Sequence, residues 1–463
     1  MTEQLKLKLN DSKATRWGAL VIVAFTMMAA YYVNDVVAPL KTMLETDLAW
    51  SSTDFGFFTG GYSFLNVFFL MLIWGGLILD RFGIRFTGKL ATILMVGGTA
   101  LEYYAMTGLA GADATLFGIN EIFGYKTGVF VAFAGYSIFG VGAEVAGITV
   151  SKIIAKWFKG KELATAMGVQ VALARIGSQA GYAVAIPLAR AFGISTPVLL
   201  GLVLLLGGMI AFFVFAVMDK KLDKQMEAAA IAAGTEDEEE KFSFKDVKNI
   251  LVNPGFWLIA LLCVLFYSCV FPFQKFASEL MIIKYGINEN VAGTFAGLPA
   301  LGALILTPVF GGFIDKRGKS ASIMLLGSAM LICVHFIYAI PDINYWLVAI
   351  VLMIILGIAF SLVPSAMWPA VTKIFPVSQL GTAYALIFFI QNIGLWGIPT
   401  LIGWVLDAYC ISGKKPDGTN MYDYTVPMCI FTGIACLSLI VALLLKKADK
   451  KYGYKLEEPN IQK

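Results

Sequence analysis

The sequence predicts an all-α polytopic membrane protein with twelve transmembrane helices in two six-helix bundles. Its composition is the first reason: of 463 residues, 59% are hydrophobic and only 14% are charged, which excludes an ordinary soluble globular protein. Apolar runs of about 20 residues, long enough to cross a hydrocarbon core of about 30 Å, recur along the chain. A charged linker and a repeated motif then divide these runs into two sets of six.

The predicted spans alternate with short loops. They cover residues 17–40, 55–79, 88–110, 127–150, 163–189, 195–218, 254–277, 291–314, 320–341, 346–371, 379–407 and 424–446. The predicted organisation is an N-terminal tail at 1–16, a first bundle at 17–218, a linker at 219–253, a second bundle at 254–446 and a C-terminal tail at 447–463. The linker has mixed charge and an acidic run at 236–240, which is typical of a solvated tether.

Basic residues are concentrated in alternate loops of this arrangement. They occur in both tails and in the loops around Arg81, Lys156 and Lys316, whereas the loops at 41–54 and 111–126 are poor in Lys and Arg. Because cytosolic loops carry the excess of Lys and Arg in membrane proteins, we expect both termini and the linker to be cytosolic.

A short motif follows the second span of each predicted half. The first copy contains Gly76, Asp80, Arg81 and Gly83, and the second contains Gly311, Asp315, Lys316 and Gly318. The two copies lie about half the chain apart, which indicates duplicated bundles. We expect the first Gly to let two helices approach closely, the Asp to accept from a helix N-terminus or a basic side chain, and the basic residues to keep the loop in the cytosol.

Two charged residues lie inside apolar spans in the stretch 142–178. Glu144 falls in the fourth span and Arg175 in the fifth. A formal charge at the centre of a membrane helix costs about 2.5–3.5 kcal/mol, so such residues tend to face a cavity and to have a function. Either the two side chains bind a ligand that carries both charges, or they pair with each other and hold the two helices together.

Further polar and aromatic residues within or near the spans are candidates for the wall of that cavity. They are Asp35, Tyr62, Asn66, Tyr267, Trp368, Gln391 and Asn392. Several also have a structural interpretation: Asp35 as part of the exit interface, Tyr62 and Asn66 as interhelical hydrogen-bonding groups, and Trp368 as an interface anchor. Phosphate loops, metal-ligand spacings and catalytic triads do not occur in the sequence, so we expect no cofactor, no metal, no enzymatic activity and no nucleic-acid partner.

Two six-span halves that share this Gly-Asp-basic-Gly loop resemble the major facilitator superfamily. Other segments are similar to the lysosomal dipeptide transporter clade of that superfamily, and the chain looks like a prokaryotic-type relative of it. These segments are 157–163, 174–178, 270–273, 379–384 and 390–392. The resemblance implies a dipeptide uniporter that works by alternating access, in which Glu144 receives the ligand's amino terminus and Arg175 its carboxylate.

The chemistry of a dipeptide agrees with that implication. A dipeptide is a zwitterion whose two charges are held apart by a backbone of fixed length, while its side chains vary. Arg suits the carboxylate because its planar fork makes two parallel hydrogen bonds. A site that grips both termini and leaves room for side chains therefore accepts many dipeptides and rejects longer or shorter molecules.

Other transport functions of the same fold stay open at this point. Uniport and proton coupling are both possible, and Glu144 and Asp35 are the carboxyl groups that a proton would use. An organic-anion exchanger is one alternative, for which Lys275 is the marginal membrane cation of the second half, and a sugar/proton symporter is another. We expect a monomer in the bacterial inner (plasma) membrane.

Overall fold

The computed structural model describes residues 8–111, 114–159, 161–233, 244–376 and 379–460, and within them the chain is almost entirely helical. The helices are α1 (Lys13–Val36), α2 (Lys41–Asp47), α3 (Ser52–Phe68), α4 (Met71–Thr107), α5 (Thr127–Trp157), α6 (Leu163–Phe192), α7 (Thr196–Ala233), α8 (Phe244–Val252), α9 (Pro254–Tyr285), α10 (Glu289–Ala296), α11 (Leu298–Arg317), α12 (Ser320–Ala339), α13 (Trp346–Ile374), α14 (Leu380–Tyr409) and α15 (Thr425–Tyr452). Strands β1 (Glu121–Ile122) and β2 (Tyr125–Lys126) form one antiparallel hairpin, and β3 (Ile411–Lys414) and β4 (Asn420–Tyr422) form another. The acidic run at 236–240 lies outside the described residues.

Nine helical segments of the described chain are long and apolar enough to cross a membrane, and the number is ten if the bent pair of α3 and α4 counts as one span. The pair is bent by 58° at its break. The 30 residues of α6 fall outside this count because Gln170, Arg175 and Gln179 make its middle polar. The first segment runs through a 3₁₀ turn at Ala38–Leu40 into α2, so it continues beyond the predicted end at residue 40.

At the last glycine of each motif copy the helix is interrupted or ends. Within α4, Gly83 has a φ of 75° and a ψ of 173°, a conformation that essentially only glycine adopts. Gly318 ends α11 with a φ of 70°. These two positions require glycine because a Cβ would clash with the backbone at such angles.

The expectation that the first glycine of each copy permits a close helix approach is wrong in this conformation. A Cβ added at Gly76 or Gly311 would meet no described atom within 4 Å. In the first copy the close approach occurs one residue earlier, where a Cβ at Gly75 would lie 2.4 Å from Cγ2 of Val145. The position of a glycine in the sequence shows on which face of its helix it lies. It does not show whether that face meets another helix, because the neighbouring helix is not known from the sequence.

The aspartates of the two copies have different partners. Asp80 accepts a hydrogen bond from the ammonium of Lys152 at 3.2 Å, which agrees with the expected basic partner. Asp315 accepts from the amide of Asn460 at 2.8 Å, so the second copy is joined to the C-terminal tail. The basic residues Arg81 and Lys316 are exposed at the turns.

The segment predicted as a linker begins as helix. α7 continues to Ala233, past the predicted end of its span at residue 218. The carboxylate of Asp219 is buried and accepts from Nε1 of Trp157 at 2.9 Å and from Nζ of Lys156 at 2.8 Å. These bonds fix the first turns of the predicted linker to α5, which explains why the helix does not stop at the end of its apolar run.

The two ends of the helices are distinguished by their connections. We call the end at which α1 begins and α15 ends the tail end, and the end with the connections at 48–51, 193–195 and 286–288 the loop end. At the tail end, Arg16 pairs with Glu162 at 2.9 Å, which docks the start of α1 against the connection between α5 and α6.

Helices from the first and second halves of the sequence touch at the loop end. A Cβ added at Gly56 in α3 would lie 2.4 Å from the carbonyl oxygen of Pro399 and 3.0 Å from Cα of Gly403 in α14. A Cβ added at Gly293 in α10 would lie 2.2 Å from the carbonyl oxygen of Tyr182 in α6. Since backbones meet at both crossings, the halves are closed against each other at this end.

Candidate functional site

Glu144 lies in α5 and is only partly buried. Its Oε1 accepts a hydrogen bond from the hydroxyl of Tyr62 in α3 at 3.0 Å. The Tyr62 ring in turn packs near the rings of Tyr136 and Phe139, with centroids 5.8 Å and 6.2 Å away. The carboxylate therefore has a fixed orientation and still has free acceptor capacity, since two oxygens offer about four lone pairs.

Arg175 lies in α6 and makes contact with aromatic faces. Its guanidinium carbon is 5.6 Å from the centroid of Tyr31 and 4.9 Å from that of Phe360. These contacts stabilise a cation without using its hydrogen-bond donors. In the described part of the chain no ion pair joins Arg175 to Glu144 or to another carboxylate, so the two charges do not pair with each other here.

Tyr31 in α1 contacts Arg175. It lies within electrostatic reach of Arg175, Glu144 and Asp35. A small cavity is lined by Arg175, Asp35 and Tyr31 from the first half and by side chains such as Phe360 from the second. Arg175 thus lies on a cavity where both halves meet, whereas Glu144 is not among the residues that line this cavity and is bonded to Tyr62.

Asp35 lines this cavity, and its carboxylate forms an ion pair with a lysine. Its Oδ1 pairs with the ammonium of Lys275 in α9 at 3.1 Å, and its Oδ2 accepts from the hydroxyl of Ser178 at 2.6 Å. Lys275 also donates to the carbonyl of Asn34 at 2.6 Å. Asp35 therefore belongs to the wall of this cavity and to an ion pair between the halves, and its role in ligand binding stays a prediction.

Tyr267 and Trp368 form an aromatic wall in the second half. Nε1 of Trp368 in α13 donates to the hydroxyl of Tyr267 in α9 at 3.3 Å. Tyr267 is stacked on Phe271 and lies edge-on to Phe360, the ring that contacts Arg175. Trp368 also stacks on Phe388 with a centroid distance of 4.8 Å. This wall therefore continues from the arginine towards the tail end.

The three predicted site residues with side-chain amides are buried, and each has an amide atom without a hydrogen-bond partner among the described residues. Asn66 is 1% exposed, and among the described residues neither its amide nitrogen nor its oxygen has a hydrogen-bond partner. Within the same part of the chain the side-chain oxygens of Gln391 and Asn392 also lack partners, although Asn392 donates to the carbonyl of Phe388 at 2.9 Å. Buried polar atoms without a partner are costly and uncommon, so these amides have capacity for a ligand or for another conformation.

A buried group of charges, absent from the sequence-based candidates, holds the halves together at the loop end. We call it the loop-end ion cluster; it consists of Lys41, Glu45, Glu279, Lys415 and Tyr424. Nζ of Lys41 lies 2.5 Å from both a Glu45 oxygen and a Glu279 oxygen, and Lys415 lies 3.5 Å and 3.6 Å from the same carboxylates. The hydroxyl of Tyr424 donates to Glu279. Two cations thus face two carboxylates across the boundary between the halves.

Sequence reasoning missed Tyr31 and Phe360 as site residues because aromatic residues in apolar spans carry no local signal of a cavity. The loop-end ion cluster did offer a signal. Lys41 and Glu45 are spaced i, i+4, as in a helical ion pair, and Glu279 follows directly on an apolar span. The predicted end of the first span at residue 40 hid that signal, since it placed Lys41 and Glu45 in a loop.

Comparisons with known proteins agree with this architecture. The sequence model of the Major Facilitator Superfamily matches residues 20–399 and 276–458 of the chain. The lysosomal dipeptide transporter MFSD1 of Homo sapiens is 29% identical over 454 residues, covering 95% of this chain and 88% of the human protein. The protein of the same name from Danio rerio is 26% identical over 441 residues, covering 93% and 86%.

Solved transporter structures share the fold. The nucleoside transporter NupG, in a mutant form, superposes with a TM-score of 0.68 at 12% identity, covering 92% of this chain and 98% of its own. A mutant of the peptide transporter POT superposes with a TM-score of 0.65 at 14% identity, covering 95% of each chain. At such low sequence identities the superposition shows that the folds are similar and nothing more.

Proposed function

Because the chain belongs to the Major Facilitator Superfamily, whose members are transporters rather than enzymes, we propose that it moves dipeptides across a membrane by alternating access. The observation that carries this proposal is the pair of opposite charges, Glu144 and Arg175, which do not pair with each other among the described residues: Glu144 is bonded to Tyr62 and Arg175 lies over the ring of Tyr31. The MFSD1 relatives, which are named dipeptide transporters, support the choice of substrate class.

A dipeptide complements these two charges. Its ammonium group binds Glu144, whose second oxygen is not used by Tyr62, and its carboxylate binds the fork of Arg175 in two parallel hydrogen bonds. A ligand with both charges leaves neither residue as an isolated charge in the cavity. The two charges lie closer together in a free amino acid and farther apart in a tripeptide, so this proposal expects both to bind less well than a dipeptide.

The aromatic wall suits the variable part of a dipeptide. Tyr31 and Phe360 flank the arginine, and Tyr267 and Trp368 continue the wall, so the ligand's side chains meet rings rather than specific hydrogen-bonding groups. Such surfaces bind apolar and polar side chains with small differences in free energy. We infer a broad preference among dipeptides, with Asn66, Gln391 and Asn392 binding the peptide group or polar side chains.

The arrangement of spans supports two rocking bundles. The count of ten spans includes the bent pair of α3 and α4 as one span. It rises to eleven if α6 is counted and to twelve if α4 is divided at Gly83, with α3 and the first part of α4 forming one span and the second part of α4 another. Six of these spans then precede residues 234–243 and six follow them. In this proposal the termini are cytosolic, so the loop end is the outer face. Since the halves are in contact at the loop end, we infer that this conformation is closed to the outside.

The alternative of an organic-anion exchanger has less support. Such a carrier needs a cation from each half, and the available candidate in the second half, Lys275, is neutralised by Asp35 at 3.1 Å. Glu144 would also repel an anionic ligand. The proposed protein acts as a monomer, and its proposed location is the bacterial inner membrane, whereas the similar animal proteins are named lysosomal.

A thermal-shift panel on the purified protein tests the substrate class. The panel compares dipeptides with free amino acids, tripeptides, sugars and dicarboxylates. A ligand that binds only the folded state adds about 2.7 kcal/mol at a hundredfold excess over Kd, so even millimolar binders raise Tm. We expect many dipeptides to raise Tm and the other classes to leave it unchanged; stabilisation by dicarboxylates or sugars instead would contradict the proposal.

A pair of matched substitutions tests the role of the arginine. In Arg175→Lys the charge stays but the bidentate fork is lost, so dipeptide affinity falls by about tenfold or more. Arg190→Lys is the control, because Arg190 lies on the same helix but is exposed and pairs with Glu289 at the loop end. Equal dipeptide affinities in the two variants would show that Arg175 does not bind the carboxylate.

A further inference from the structure

Two tight turns in the connection between α4 and α5 each place a phenylalanine where glycine or asparagine is usual. In the first turn, Leu116 and Ile119 exchange two backbone hydrogen bonds of 3.0 Å around Phe117 and the glycine after it, whose φ angles are 53° and 80°. In the second, which joins β1 to β2, Phe123 and the following glycine have φ angles of 52° and 81°. Positive φ at both central residues is the geometry of a type I′ turn, in which a bulky first residue is rare. We call residues 116–125 the Phe-Gly turns.

Both phenylalanine side chains project away from the protein. Phe117 is 96% exposed and Phe123 is 89% exposed, the two highest values among the large apolar side chains of the described chain. A bulky residue at positive φ strains the backbone, and a fully exposed ring is unfavourable in water. Two such costs at two successive turns indicate that another surface covers these rings.

Hydrogen bonds fix the Phe-Gly turns against the start of α5 at the loop end. The hydroxyl of Thr127, the first residue of α5, donates to the carbonyl of Ile119 at 2.8 Å, and its backbone nitrogen donates to the next carbonyl at 2.9 Å. The ammonium of Lys126 donates to the carbonyl of Ala49, in the connection between α2 and α3. Because α5 is long and apolar enough to cross a membrane, the turns lie where that helix reaches the membrane–water interface.

A row of aromatic rings connects Phe123 with the exposed surface of α3. The ring centroid of Phe123 is 5.9 Å from that of Phe130, in the first turn of α5. Phe130 is 6.0 Å from Phe133, which is 5.1 Å from Phe64 in α3. Phe64 is in turn 4.9 Å from Phe68, which is 52% exposed next to the break between α3 and α4. α3 contributes none of the side chains that line the cavity described above, so this exposed end of the row faces lipid.

We propose that the Phe-Gly turns insert Phe117 and Phe123 into the boundary between headgroups and acyl chains, in the leaflet at the loop end. Lipid already covers the far end of the aromatic row that Phe123 continues. The membrane interface accepts aromatic side chains without charge complementarity, which agrees with Glu121 being the one charged residue among residues 114–125. Burial of the rings there offsets the strain of the two turns, and the loop end of the first half is anchored to that leaflet.

Photocrosslinking identifies the molecules that cover the turns. The photoreactive residue p-benzoylphenylalanine replaces Phe117 in one variant and Phe123 in another. A positive control carries it at Ile210, which is 64% exposed on the apolar span α7, and a negative control carries it at Lys414, which is exposed on β3 in the other loop-end hairpin. Each variant is irradiated in membranes of the native host and in liposomes that contain only this protein, and adducts are identified by mass spectrometry.

Lipid adducts at both turns are the expected result in both preparations. Their yield at Phe117 and Phe123 should lie within about threefold of the yield at Ile210 and about tenfold or more above the yield at Lys414. Crosslinks from the turns to another protein chain, with lipid adducts no more frequent than at Lys414, would show a protein-docking surface and overturn the inference. Adduct yields at the level of Lys414 for lipid and protein alike would overturn it too.

A smaller label addresses the case in which the photoreactive group disturbs a turn. The variant Phe123→para-fluorophenylalanine keeps the shape of the ring, and its fluorine NMR signal is recorded in lipid nanodiscs. We expect nitroxide-labelled lipid to broaden this signal more than a water-soluble gadolinium chelate does. Stronger broadening by the chelate would place the ring in water and contradict insertion into the leaflet.

Discussion

The loop-end ion cluster gives the sharpest prediction about conformation. Lys41, which is 1% exposed, lies 2.5 Å from a carboxylate of its own half, Glu45, and 2.5 Å from a carboxylate of the other half, Glu279. We expect Glu279→Gln to weaken closure at the loop end, because it removes the negative charge that the second half offers to Lys41. The substitution keeps the size of the side chain and one hydrogen-bond acceptor, so its effect is electrostatic.

The size of the effect follows from the burial of the cluster. Removing one partner of a buried ion pair costs about 3–5 kcal/mol, and we take the lower value because Gln still accepts a hydrogen bond. Since Glu279 meets Lys41 only when the halves are closed at this end, the whole cost falls on the closed conformation. About 3 kcal/mol changes the ratio of closed to open molecules by roughly 150-fold.

Hydrogen–deuterium exchange with mass spectrometry measures this shift without labels. We expect Glu279→Gln to increase exchange in peptides that cover the α2–α3 connection and the loop end of α14. Glu289→Gln is the matched comparison, because Glu289 also pairs across the halves at the loop end, with Arg190, but both side chains are at least 40% exposed. An exposed pair contributes about 0–1 kcal/mol, so this variant should change exchange little. Equal exchange in Glu279→Gln and Glu289→Gln would refute the reasoning.

Two glycine substitutions test the backbone contacts and the bent motif. Gly56→Ala should slow dipeptide counterflow by about fivefold or more, because its Cβ would lie 2.4 Å from the Pro399 carbonyl oxygen at the closed loop end, whereas Gly76→Ala, in open space, should leave counterflow unchanged. Similar rates in these two variants would argue against the crossing of α3 and α14. Gly83→Ala should cost about 1–3 kcal/mol of stability, measured as a lower Tm, because of the φ of 75°; Gly97→Ala in the same helix is the control. An unchanged Tm in Gly83→Ala would show that the break in α4 does not need glycine.

Local rules predicted the parts of the molecule that depend on local chemistry. The cost of a charge in an apolar span identified Glu144 and Arg175 without any knowledge of their neighbours, and the structure places both near Tyr31. The loop predicted between the spans 55–79 and 88–110 contains Gly83, where α4 is broken at a φ of 75°. Their roles as ligand-binding groups remain predictions.

Contacts between the halves were beyond sequence reasoning. Lys275 and Asp35 are 240 residues apart, and Lys41 and Glu279 are 238 residues apart. Apolar spans resemble one another in composition, so a single sequence does not show which helices face each other or which ends are closed.

Counterflow of a labelled dipeptide into liposomes, with competitors that differ only at their ends, tests the central claim most directly. The competitors are the same dipeptide with free ends, with an acetylated amino terminus and with an amidated carboxyl terminus. If Glu144 and Arg175 bind the two termini, the free dipeptide inhibits uptake of the label and each blocked form is weaker by about tenfold or more, the typical loss when a buried charged partner is removed. Equal inhibition by free and blocked dipeptides, or inhibition by sugars or dicarboxylates in their place, would contradict the account.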